Sequence, residues 1–226
     1  GFLLWWERAR DLSVLLDQML ADPVFGHRVD TTRVGAAGFS LGGYTVVAAV
    51  GGRCSLDHFQ AASHARGEAM PQGPRELPDA GRLFNELMAC DPVFRDSVAA
   101  HGQSYRDPRI RAAFVMNPAL GEAFEDRALA SLDVPLQVVV CEADEDVPPP
   151  FNGCRYAQRV PGAGLTWIRG PVGHYVFLAE ATAAGRRSFP HLCQDDPLVD
   201  RRAVHAHVAS LAVSFFEHHL VVREAS

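Results

Sequence analysis

The 226-residue chain lacks any run of the ~18 consecutive apolar residues that a membrane-spanning helix needs. The nearest stretch, Val34 to Val50, holds four glycines and a serine. The chain opens Gly-Phe-Leu-Leu-Trp-Trp, with no basic segment leading into an apolar core. No signal peptide is read there, and the compartment stays open. A basic excess is lacking as well: 21 Lys and Arg face 27 Asp and Glu, for a net charge of -6. That speaks against a nucleic-acid partner, which needs a concentrated basic face. The pairs Arg186–Arg187 and Arg201–Arg202 read as solvated surface. Cysteine is scarce: the five are odd in number and form no C-x-x-C, and none of the ten histidines forms H-x-x-x-H. Neither a metal site nor a complete disulfide framework is indicated, and no cofactor is called for. Cys141 ends an apolar run and reads as a buried small residue. Cys54 and Cys90 lie in a loop-rich region and could pair in an oxidising compartment.

What is present fits a globular protein with a sizeable core, at 48% hydrophobic and 21% charged residues. Residues 8–20 predict an amphipathic helix, because Leu12, Leu15, Leu16, Met19 and Leu20 recur at spacings of three and four. Pro23 ends it. Val34 to Phe39 reads as a short buried strand and Leu41 to Val50 as a helix closed by Gly51–Gly52. Strands are expected at Ile110 to Met116, Leu136 to Cys141 and Leu165 to Ile168. Helices are expected at Glu122 to Leu132, Phe151 to Val160 and Val204 to Leu220. Strands alternating with helices predict an α/β fold, a mostly parallel sheet with helices on both faces. One domain accounts for residues 1–226. No internal repeat is seen.

Residues 53–108 differ from the rest, being rich in Gly, Pro, His and charge, with a helical piece at Arg82 to Cys90. They predict a cap or long loop departing from the core. Phe59, Phe84 and Met88 are its candidate contacts to a substrate; the alternative is a satellite core under the loop.

The chemistry centres on Gly38-Phe39-Ser40-Leu41-Gly42, a G-x-S-x-G pattern set between a buried strand and a helix. A turn this tight strains the serine and asks its neighbours at 38 and 42 to lack side chains. Gly43 lets the helix approach the sheet. The turn lifts the Ser40 hydroxyl clear of the sheet and aims the Leu41 backbone N–H at a developing oxyanion.

A serine hydroxyl needs a base. Sites of this strand–turn–helix kind run in the order Ser, acid, His, with the His in a loop after the last strand. His174, in Pro171-Val172-Gly173-His174-Tyr175, meets that order. His205 and His207 sit two apart on a helix and face different ways, and His218 and His219 suit a helix end. His27, His58, His64, His101 and His191 have no strand before them. The acid should follow the strand ending at Cys141, where Glu142, Asp144 and Asp146 are available. Asp144, three residues before Val147-Pro148, is the preferred partner, to orient the imidazole and stabilise its protonated form; Asp146 is the alternative.

These residues resemble the α/β-hydrolase superfamily. More narrowly, the chain is similar to bacterial dienelactone hydrolase-like proteins, the branch near platelet-activating-factor acetylhydrolase-like esterases. The likeness is carried by Asp11-Leu12-Ser13-Val14-Leu15-Leu16-Asp17-Gln18, by Gly38 to Tyr44, by Asp107-Pro108-Arg109-Ile110-Arg111-Ala112-Ala113, and by Gly173-His174-Tyr175-Val176-Phe177-Leu178. The resemblance implies a serine hydrolase of small-molecule esters. Dienelactone hydrolases proper use Cys as nucleophile, and Ser40 stands in that place, so an ordinary carboxylic ester is the expected substrate. The same residues also suit acyl transfer to an acceptor other than water, or a non-catalytic binding protein on a hydrolase scaffold.

The resemblance further implies strands before the Ser40 turn, with a His-Gly loop completing the oxyanion hole. Neither is in this sequence. At roughly 30 residues per strand-plus-helix unit, about 100 residues are expected upstream, or a partner chain in their place.

Overall fold

The computed structural model describes residues 2–67 and 77–221. Part of the 53–108 excursion, residues 68–76, lies outside the described residues.

Four strands form one parallel sheet in the order β1 (Val34–Phe39), β2 (Ile110–Met116), β3 (Leu136–Cys141), β4 (Gly164–Ile168). Helices follow and separate them: α1 (Arg8–Ala21), α2 (Leu41–Ala49), α3 (Leu56–Ala65), α4 (Ala80–Cys90), α5 (Pro92–Ala99), α6 (Asp126–Ala130), α7 (Gly153–Arg159), α8 (Ala183–Ser188), α9 (Pro190–Cys193) and α10 (Arg201–His219). No helix among the described residues is long and apolar enough to cross a membrane.

The pleat sends alternate residues to opposite faces. Ala113, Val115, Val138 and Val140 join the core shared with α2 and α7. Phe114, Val139 and Cys141 join a second core under α10, where Phe114 meets Phe215 and Phe216 at 5.9 and 6.2 Å between ring centres. Strands buried on both faces read as continuous apolar runs, which is why β2 and β3 were visible in the sequence.

Trp5 and Trp6 enter the first core edge-on to one another, and Trp6 donates its indole N–H to Ser97 Oγ at 3.0 Å. Among its described residues the excursion carries three helices, α3, α4 and α5. Phe59 of α3 meets Trp5 at 5.9 Å, and Phe84 of α4 meets Phe94 of α5 at 5.2 Å. Cys54 and Cys90 are both free: the Cys54 thiol is buried and donates to the His101 carbonyl at 2.9 Å, while Cys90 is exposed.

One helix needs correction. The helix read at Glu122 to Leu132 shrinks to Asp126–Ala130, after a 3-10 turn at Gly121–Ala123. Phe124 breaks it: its backbone is extended, bridges Cys54, and its ring stacks on Tyr44 at 5.1 Å. The stacking and bridge outweigh a local helical preference that is only a weak prior. The apolar row of α1 is only partly buried. Leu15 and Met19 are 52% and 42% exposed, and Ala9 is the buried residue of that helix. What ties α1 down is largely polar: Arg8 Nε donates to Thr45 Oγ1 at 2.9 Å, and Arg109 Nη1 donates to Asp17 Oδ1 at 2.5 Å.

Candidate active site

The carboxyl ends of β1, β3 and β4 deliver the three residues singled out from the sequence. Ser40 follows β1 directly, with φ 55° and ψ -120°. A non-glycine residue at positive φ is strained, and it persists only where its surroundings over-determine it. Here they do. The Ser40 N–H donates to the Met116 carbonyl at 3.0 Å, and the Ser40 carbonyl accepts N–H groups of Gly43 at 2.9 Å, Tyr44 at 3.2 Å and Ala119 at 3.0 Å.

Sterics explain one of the two glycines flanking that turn. A Cβ at Gly38 would lie 2.2 Å from the Gly42 carbonyl oxygen, so no other residue fits. A Cβ at Gly42 would meet nothing within 4 Å, so the expectation that the turn itself requires glycine there is wrong. Gly43 carries the second constraint, because a Cβ would come 2.7 Å from Pro118 Cβ. That glycine is what brings α2 against the loop after β2.

His174 sits in a 3-10 turn, His174–Phe177, after β4. Asp144 sits after β3, and both side chains are almost wholly buried. The imidazole bridges the other two residues. Its Nδ1 lies 2.7 Å from Asp144 Oδ2 and its Nε2 lies 2.8 Å from Ser40 Oγ. The remaining Asp144 oxygen accepts the Val147 N–H at 2.7 Å, which leaves the carboxylate fixed at both ends. Glu142 turns outward to Arg169 and to the Gly170 N–H, whose hydrogen bond with Arg169's holds its carboxyl below the usual range. Of the three candidate acids, then, Asp144 has the hydrogen bond to His174.

Leu41 begins α2, so its N–H has no acceptor within the helix. It stands beside Ser40 as an available donor. The Phe39 ring lies 4.8 Å from the His174 ring and Tyr175 lies 4.9 Å away edge-on. Burial pushes the nearby Cys141 thiol up to about 12, which keeps it protonated and unreactive.

Phe59, Phe84 and Met88 are half-buried, and Phe59 and Phe84 pack against the main core, Phe59 on Trp5. The residue that sequence reasoning overlooked is Asn117, 2% exposed at the end of β2. Its signal was the Asn117-Pro118 pair that stops an apolar strand, since Asn-Pro marks a turn.

The sequence matches no family model and no curated relative. Among solved structures, the chain is similar to a hydrolase from Pseudomonas aeruginosa PA01, with 18% identity over 90% of this chain and 70% of that chain and a TM-score of 0.38.

Proposed function

We propose that this chain is a serine hydrolase that cleaves carboxylic esters through an acyl-enzyme. The observation that carries the reading is the continuous hydrogen-bonded line Ser40–His174–Asp144, at 2.8 and 2.7 Å, with the serine held in a strained strand-to-helix turn. Structural serines have no need of that combination of strain, a buried imidazole and a buried carboxylate.

In this mechanism Ser40 Oγ attacks the ester carbonyl as His174 Nε2 takes its proton. The C–O bond to the alcohol then breaks, and His174 returns the proton to the leaving oxygen. Water attacks the acyl-enzyme with the same imidazole as base, and the acid and free Ser40 are regenerated. Asp144 holds the Nδ1–H and stabilises the imidazolium. The Leu41 N–H faces the oxyanion. A substrate wall made of Phe59, Phe84 and Met88 belongs to the same proposal. Truncating each to Ala should shift the preferred acyl chain length, and an unchanged preference assigns them to packing alone.

The test is labelling with a fluorophosphonate together with turnover of p-nitrophenyl esters of increasing chain length. Wild type should label and turn over. Ser40→Ala should lose the label and about 10⁶-fold in kcat with its fold intact. Near wild-type turnover in that variant, or an unlabelled wild type, overturns the reading.

A further inference from the structure

Asn117 is buried between the two loops that carry His174 and Asp144, and its carboxamide is used in two directions. Oδ1 accepts the Cys141 N–H at 2.8 Å, and Nδ2 donates to the His174 carbonyl at 3.4 Å. Its own N–H donates to the Val139 carbonyl at 2.8 Å. Cys141 ends β3 and starts the Asp144 loop: the Asp144 N–H turns back to the Cys141 carbonyl at 3.4 Å. One side chain thus spans the backbone bearing the acid and the backbone bearing the base. The sheet does not need it for that, since Met116 and Val139 already close the β2–β3 register.

The backbone gives a second, independent sign. Among the described residues, the non-glycine residues at positive φ are Ser40 at 55°, Asn117 at 38° and Leu120 at 56°. All three sit close along the chain to one pair of hydrogen bonds: Met116, next to Asn117, accepts from Ser40, and Ser40 accepts from Ala119, next to Leu120. Strain of this kind collects where a geometry is being enforced. Asparagine tolerates the left-handed region better than other side-chain-bearing residues, which suits position 117.

We infer that Asn117 is a positioning residue for the proposed reaction: it sets the separation of the His174 and Asp144 loops so that the imidazole reaches Ser40 and the carboxylate together. It touches neither substrate nor reacting atoms. The inference rests on the Ser40–His174–Asp144 reading. The two arms demand different chemistry, an acceptor toward Cys141 and a donor toward His174. Aspartate supplies only the acceptor. Glycine supplies neither but accepts the positive φ without strain.

Wild type, Asn117→Asp and Asn117→Gly are compared on one p-nitrophenyl ester for kcat and KM, for the rate of fluorophosphonate labelling, and for thermal midpoint. A misplacement near 1 Å costs about 10²-fold, so kcat should fall about 10- to 100-fold in both variants. Labelling should slow by the same factor while KM stays within about threefold, because the base and not the substrate is displaced. Folded variants with kcat within twofold of wild type overturn the inference, as does a raised KM with unchanged kcat. Loss of folding in both variants overturns it too, because the residue then serves the fold. Should only the glycine variant fail to fold, the aspartate variant decides. An inactive, unlabelled wild type removes the Ser40 reading and this one with it; an active wild type with unaffected variants removes this one alone.

Discussion

The carboxyl end of the sheet and its β1 side follow opposite patterns of burial. At the carboxyl end, His174 and Asp144 are polar and each only 4% exposed. Among the described residues, no buried side-chain nitrogen or oxygen lacks a partner. On the β1 side, apolar groups stand in the open: Val14, Leu15 and Met19 on α1, then Val24 and Phe25 on the way into β1. β1 is an edge of the sheet, and Gly35 and Ala37 along it are exposed. Burial here follows the demand for fixed geometry rather than polarity. A buried polar group is tolerable when every hydrogen bond is made, and an exposed apolar row with an open strand edge is the kind of surface that another segment covers.

The sharpest way to break the comparison is to keep the shape of the buried network and change its chemistry. Asp144→Asn preserves size but favours the wrong His174 tautomer, so kcat should fall about 10⁴-fold. Asp146→Asn should lower it by less than about tenfold. Steady-state kinetics on the same ester checks both, and equal losses would mean that Asp144 has no special tie to His174.

A middle-sized effect is expected where α1 is tied down by charge. Hydrogen bonds from Arg109 hold the Asp107 carboxyl down from 3.8 to about 2. Arg109 also reaches Asp17 on α1. Asp107→Ala should therefore lower stability by about 1.5–3 kcal/mol, the value of hydrogen bonds to a charged partner. The sign with pH is set by the lowered value: the contribution is full above the unfolded 3.8 and is lost as pH falls toward about 2. Denaturant titrations of wild type and variant at pH 7 and pH 2 should converge at the lower pH. A gap that persists there would assign the loss to packing.

The smallest effect is expected on the open side. Leu15→Ser with Met19→Ser should change stability by less than about 0.5 kcal/mol per site, because neither side chain is in the core. A loss of about 2–5 kcal/mol per site, the cost of truncating a core aliphatic, would show that the row is buried in the working protein.

Legibility followed the range of the forces involved. The Ser40 turn could be read because its constraint is local: Gly38 must clear Gly42, and Gly43 must clear Pro118. β2 and β3 could be read because both faces are largely buried, so apart from Arg111 and Gln137 their residues are apolar. The helix expected over 122–132 could not be read, because a long-range stack of Phe124 on Tyr44 pulls the chain out of helix. The helix α1 was read from the same periodicity, which reports what a helix could bury: Leu12 packs on the core while Leu15 and Met19 stay exposed. Phe59 and Phe84 carried their apolar character in the sequence, but their neighbours Trp5 and Phe94 lie 54 and 10 residues away, beyond any local pattern.

The sequence by itself determined the strand-turn-helix at Ser40, the alternation that builds a parallel sheet, and the order in which serine, acid and histidine arrive. Each of those depends on neighbours along the chain, where sterics and burial leave few alternatives. The sequence preferred Asp144 among the acids; only the tertiary structure gave its hydrogen bond to His174, the three helices within residues 53–67 and 77–108, and the link that Asn117 makes between the two loops. The choice among acids turns on where the carboxylates of one loop point, Asp144 to His174 and Glu142 outward to Arg169 and Gly170, and the reach of Asn117 spans 57 residues to His174. Distances of that kind come from packing, which no local pattern encodes.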